Sequence, residues 1–102
     1  MNTLTVNKTK DGEKMTAELI GRVDVMTSPQ FEKEVMSDLD GINELVLDLR
    51  KLQYISSAGL RVIVMLQQTI SSKKGNMTLR NVSEGVLDIL TATGLTDVLN
   101  IE

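Results

Sequence analysis

A chain of 102 residues has the length of one domain, and its 41% hydrophobic and 25% charged residues are those of an ordinary globular protein, with a formal charge of −3. It contains no Cys and no His, which excludes disulfides, thiolate or imidazole zinc sites, and Ser-His or Cys-His catalysis. One Tyr, one Phe, no Trp and a mildly acidic balance leave neither the basic stripe nor the stacking platform of a nucleic-acid binder, so no direct nucleic acid partner is expected. No apolar run reaches the length of a membrane span, and Met1-Asn2-Thr3-Leu4 shows no secretory n-region or h-region, so no membrane partner and a cytoplasmic location are expected.

Residues 1–102 are read as one domain. Asn2 to Asn7 alternates Leu4 and Val6 with threonines, as a short strand does, and Lys10-Asp11-Gly12 signals a hairpin turn. Lys14 to Ile20 sets Met15, Ala17 and Leu19 against Thr16, Glu18 and Ile20, predicting a second, antiparallel strand that ends at Gly21. Arg22 to Thr27 reads as a loop, with Ser28 as the N-cap of a helix and Pro29 at its first position. Phe31, Val35, Leu39 and Ile42 form one helical stripe, and Gly41 is placed just past that helix.

Glu44-Leu45-Val46-Leu47-Asp48-Leu49 is a short apolar run of the kind that forms an inner strand covered on both faces. Leu52 to Gly59 reads as the loop after it. The run from Leu60 to Leu66 is apolar nearly all round, which suits a largely buried helix opening at Ser56 and Ser57. Lys73 and Lys74 suit that helix's negative end, and Gly75 stops it. Asn76 to Leu79 is a further strand. Ser83 caps a third helix closed by Gly94, and Val98 to Ile101 is a final short strand or docked tail.

The expected fold class is α/β, a central mixed β-sheet with helices packed against it, in the order β-β-α-β-α-β-α-β. In such sheets the loops leaving the carboxyl ends of strands gather into the site. Gly21 to Ser28 and Leu52 to Gly59 are therefore expected to be neighbours. Ser56 and Ser57 face unpaired helix amides and the positive end of the helix dipole, where a phosphate is stabilised. Their plainer reading is a helix cap, although one hydroxyl suffices for that and Ala58-Gly59 keeps the approach open. Asp24 is either a solvated loop carboxylate or a group that orients a serine, binds a partner's basic group or repels a phosphate.

Other chemistries lack their companions. Asp48 stands where a receiver domain carries an acceptor, but no acidic pair follows the first strand to hold Mg²⁺. Asp48 is expected instead to satisfy backbone N–H groups or to terminate the strand. The seven glycines have no Walker or dinucleotide spacing, so no cofactor is expected and any phosphorylation is done by a second protein.

Tyr54-Ile55-Ser56-Ser57-Ala58-Gly59-Leu60-Arg61-Val62-Ile63, with Leu47-Asp48-Leu49 before it, resembles the signature of the STAS domain, and more narrowly the free-standing bacterial anti-sigma factor antagonists. Gly21-Arg22-Val23-Asp24 and Thr93-Gly94-Leu95 extend the resemblance over nearly the whole chain. It implies a non-enzymatic partner switch. The unmodified protein binds an anti-sigma factor that is also a serine kinase and so frees a sigma factor. Phosphorylation releases it, and a phosphatase restores it. By position the acceptor is Ser57, with Ser56 the alternative, and the partner surface comprises Asp24, Ser56, Ser57, Ala58 and Gly59. Many members carry Asp before the acceptor and Ser or Thr after it; here Ser56 and Ala58 hold those places. A second reading is a STAS subunit of another assembly, such as a lipid-transport complex or a transporter-associated module. A flavodoxin-like enzyme is the third, disfavoured by the missing His, Cys, Gly-rich loop and aromatic platform.

Overall fold

The computed structural model describes residues 3–102, so Asn2, with which the first strand was expected to begin, lies outside the described residues. Strands β1 (Leu4–Asp11) and β2 (Lys14–Val23) form an antiparallel hairpin closed by Gly12 and Glu13, with Asp11 still paired to Lys14. Gly12 has φ +63°, the conformation that two-residue hairpin turns require. Helix α1 (Ser28–Met36) follows, then β3 (Glu44–Asp48), β4 (Leu52–Ile55), α2 (Ser57–Ser72), β5 (Asn76–Arg80), α3 (Glu84–Ala92), a 3-10 turn (Leu95–Asp97) and β6 (Asn100–Ile101). The sheet runs β1-β2-β3-β5-β6, with β1 antiparallel to β2 and the remaining pairs parallel. The expected mixed α/β architecture is thus present with one more strand.

That extra strand, β4, occupies half of the stretch expected to be a loop from Leu52 to Gly59. β2 pairs with β3 over Lys14–Glu18 and then with β4 over Gly21–Val23. The handover occurs at a bulge between Gly21 and Arg22. There the Gly21 N–H donates to the Lys51 carbonyl, while the Arg22 N–H turns back to the Thr3 carbonyl. Gly21 has φ +110°, and a Cβ on it would lie 2.3 Å from the Thr3 oxygen, so only glycine fits. Gly21 therefore bends β2 rather than ending it.

Met15, Ala17 and Leu19 of β2, Leu45 and Leu47 of β3, and Met77 and Leu79 of β5 point to one face. They join Phe31 and Val35 of α1, Ile63, Leu66 and Ile70 of α2, and Val86 and Leu90 of α3 in one core. The other face carries the row Thr9, Thr16, Val46, Thr78 and Asn100, flanked by Lys14 with Glu44 and by Arg80 with Glu102. Val46 is buried yet outside the core. β3 is thus covered by helices on one face, not on both.

Three helix boundaries also differ from expectation. Ser28 is the first residue of α1 and Thr27 is its N-cap, so Pro29 sits one place further in. The helix ends at Met36; Leu39 and Ile42 reach the core from the turns beyond it, leaving Gly41 outside the helix end. At the end of α2 the left-handed residue is Lys74, φ +60°, not Gly75. The amides of Lys74 and Gly75 donate to Ser71 and Ile70, closing a Schellman motif. Gly75 is required for another reason: its Cβ would lie 2.2 Å from the Asn43 carbonyl oxygen.

Candidate functional site

β2 and β4 run parallel and end together, which brings the two loops that follow them side by side. The Ser56 N–H donates to the Val23 carbonyl at 2.8 Å and ties one loop to the other. Gly59, in the first turn of α2, packs on both strand ends. A Cβ there would lie 2.5 Å from Val23 Cγ1 and 2.7 Å from Ile55 Cγ1. The missing side chain is what allows α2 to start so close to the sheet.

The two serines have different situations. Ser56 is the N-cap, in extended conformation, and its Oγ accepts the Gly59 N–H at 3.3 Å while its carbonyl accepts the Leu60 N–H. It is half-buried and its hydroxyl is engaged. Ser57 is the first helical residue and is exposed, and its hydroxyl has no hydrogen bond among the described residues. Ala58 beside it is half-buried and carries no competing hydroxyl. The cap takes only the third amide of the helix, so those of Ser57 and Ala58 remain open to an anion.

Asp24 is not a solvated loop carboxylate. It is 9% exposed, and its Oδ1 accepts the backbone N–H of Met26 at 2.9 Å and of Thr27 at 3.0 Å, with the Thr27 hydroxyl at 3.1 Å. Its own N–H donates to Thr27 Oγ1, and its carbonyl accepts the Ser28 N–H. Burial alone pushes its pKa up. The Thr27 amide, the Thr27 hydroxyl, the Met26 amide and the Arg22 charge outweigh that and hold it below the usual aspartate value. Asp24 is therefore ionised at neutral pH, and its Oδ2 is buried without a hydrogen-bond partner among the described residues.

This knot of bonds turns the loop tip outward. Val25 is 70% and Met26 80% exposed, two adjacent apolar side chains beside the mouth of α2. Neither was singled out from the sequence. The available signal was an apolar pair in a segment read as a loop, where polar residues are the norm. Asp48 behaves as expected: its Oδ1 accepts the Arg50 N–H at 3.1 Å and also an Asn81 amide hydrogen. No cluster of three or more Asp, Glu, His or Cys among the described residues could hold a metal ion. No helix among them is long and apolar enough to cross a membrane. The arrangement has no paired acid and base; it presents a hydroxyl, two open amides and an apolar tip.

A family model described as the STAS domain matches residues 5–102. BtrV of Bordetella bronchiseptica, described as an anti-sigma factor antagonist, is 32% identical over 99 residues, covering 96% of this chain and 84% of BtrV. The crystal structure of an anti-sigma factor antagonist from Mycobacterium paratuberculosis superposes with a TM-score of 0.87 at 18% identity, covering 98% of this chain and 86% of that one. The antagonist SpoIIAA superposes at 0.82 in its unphosphorylated form and, as the Bacillus cell fate determinant, at 0.75 in its phosphorylated form. The identities are 15% and 14%, with 98% of this chain covered in each case and 88% and 91% of the SpoIIAA chains, which is a likeness of fold.

Proposed function

Because the chain belongs to the STAS domain family, we propose that it is an anti-sigma factor antagonist switched by phosphorylation at Ser57. It works by binding and performs no chemistry of its own. In the unmodified state it docks on an anti-sigma factor that is also a serine kinase, and so frees a sigma factor. The kinase transfers a phosphoryl group from ATP to Ser57, the complex parts, and a phosphatase reverses the change.

The observation that carries this reading is the division of labour between the two serines. Ser56 Oγ holds the helix cap, and Ser57 Oγ is exposed and unbonded among the described residues. Phosphate adds about −1.5 to −2 charges and three acceptor oxygens. On its own helix end it meets open amides, so the fold tolerates it. Beneath a docked protein it loses its hydration and confronts the apolar tip of Val25 and Met26. Losing tenfold in affinity takes only about 1.4 kcal/mol. Asp24 supports the docking surface by fixing the shape of that tip, with Ala58 and Gly59 keeping the helix mouth low.

The test is incubation with the purified cognate kinase and ATP, followed by mass spectrometry of the Ser57 peptide. Phosphate on Ser57, abolished by Ser57→Ala and retained in Ser56→Ala, is the expected result. Phosphate on any other residue, or none, refutes the assignment.

A further inference from the structure

Arg22 and Tyr54 are cross-strand partners on β2 and β4, and each immediately precedes a last strand residue and then one of the two loops of the site. The Arg22 guanidinium carbon lies 4.5 Å from the Tyr54 ring centroid. This cation–π stack fixes the plane of the guanidinium. Yet among the described residues Arg22 Nε is buried with no hydrogen-bond partner, and none of the ion pairs includes Arg22. Asp24, the carboxylate whose charge it influences, directs Oδ1 to the loop amides instead. Among the described residues the guanidinium feels the Asp24 charge but has no carboxylate at ion-pair distance.

We propose that Arg22 and Tyr54 form a receptor for an Asp or Glu side chain of the protein partner; this rests on the antagonist reading and adds a second anchoring point to it. A guanidinium held flat offers two parallel N–H groups, the arrangement that a carboxylate meets bidentately. The buried Nε is out of a partner's reach, so a docking carboxylate meets the Nη groups, where a charge-assisted hydrogen bond adds affinity. The occupant is a protein side chain and not a free small anion because the receptor is continuous with an apolar tip. Val25 is three residues from Arg22, and the exposed Ser57 three residues from Tyr54. Arg and Tyr beside a desolvated apolar contact are the residue types that dominate binding energy at interfaces. The cation also stands on a chain of net charge −3, which leaves it a local positive feature for an acidic group to find.

The experiment is calorimetric titration of the purified cognate anti-sigma factor kinase with wild type, Arg22→Gln, Arg22→Lys, Tyr54→Phe and Tyr54→Leu, each checked by thermal unfolding. Failure of the wild type to bind refutes the antagonist reading itself. Given wild-type binding, Arg22→Gln and Arg22→Lys are each expected to lose at least tenfold, Tyr54→Leu at least threefold, and Tyr54→Phe less than twofold. In a charge swap with a further variant, Arg22→Glu, which is expected to lose at least tenfold, changing a single Asp or Glu of the kinase to Lys is expected to restore binding. Should Arg22→Gln prove unstable, that same kinase variant against the wild-type antagonist reports independently, with at least a tenfold loss. Binding by folded Arg22→Gln within twofold of wild type overturns the proposal. So does a phosphorus-31 titration in which Arg22→Gln raises the second pKa of phosphorylated Ser57 while partner binding is unchanged, since the guanidinium then serves the phosphate.

Discussion

The two ends of helix α2 are built on opposite plans. At the carboxyl end, the Schellman bonds from Lys74 and Gly75 are joined by the Lys73 ammonium, which donates to the carbonyls of Leu39 and Ile42 in the segment after α1. Gly75 passes so close to Asn43 that no side chain fits, and the Asn76 amide donates to the Asn43 carbonyl at 2.8 Å. Polar groups there are tied to other parts of the fold. At the amino end, among the described residues, one serine caps the helix and the next has no partner, two amides stay open, and the adjoining loop exposes Val25 and Met26. One end fastens the helix and the other leaves binding capacity unused, although both carry a Ser-Ser pair and a close glycine.

The sharpest way to break this contrast is to add a methyl group at each end. Gly75→Ala drives its Cβ into a backbone carbonyl and is expected to cost about 3 kcal/mol, whereas Gly59→Ala meets the buried side chains of Val23 and Ile55 rather than backbone, and is expected to cost roughly 1–2 kcal/mol. Urea melts of both variants decide it; a larger loss for Gly59→Ala reverses the contrast. Next in size is Ser57→Asp, expected to weaken binding to the kinase at least tenfold, about 1.4 kcal/mol, with stability unchanged within roughly 0.5 kcal/mol. Unaltered affinity by calorimetry would count against an electrostatic switch. Ser56→Ala is expected to lose about 1 kcal/mol of stability through the cap and to leave Ser57 phosphorylation intact. Loss of both in the urea melt and the kinase assay would show that the two serines act as one unit.

The smallest effect is a pH dependence. The Asp24 pKa is lowered by folding, so its contribution is fully present above the unfolded value, about 3.9, and disappears as pH falls through the lower folded value. Asp38, held low by the Lys8 ammonium 2.6 Å away, follows the same sign. Acidification below pH 4 is expected to shift the Met26 and Thr27 amide resonances as Asp24 takes up a proton. Resonances that stay fixed while the Asp24 carboxyl titrates would show that the loop tip does not depend on the ionised carboxylate.

Much of the fold was legible because it rests on periodicity. The alternation of Met15, Ala17 and Leu19, the apolar run Leu45–Leu47, and Ser83 ahead of Val86 announce strands and a cap without reference to anything distant. β4 was hidden because Leu52, Gln53, Tyr54 and Ile55 run buried, exposed, exposed, buried, which is not a strand's period of two; Leu52 and Tyr54 face the consecutive Gly21 and Arg22, so Gln53 is the extra residue that breaks the alternation. At the site, the place of Ser56 and Ser57 was readable and their inequality was not. A cap and a first helical residue look alike until backbone angles are known. The burial of Asp24 was equally invisible, because its ligands are amides, which every residue possesses.

Hydrophobic spacing, the two serines ahead of an apolar helix and the lack of His and Cys are properties of the chain read in order, and they set the elements, the helix mouth and the kind of chemistry open to it. Which serine is left free, why the loop tip faces outward, and why Arg22 meets Tyr54 were decided only when β2 bent at Gly21 and exchanged β3 for β4. The reason is that a sequence pattern fixes which way a side chain faces on its own element, while a hydrogen bond or a stack depends on what another element brings within about 3–5 Å of it.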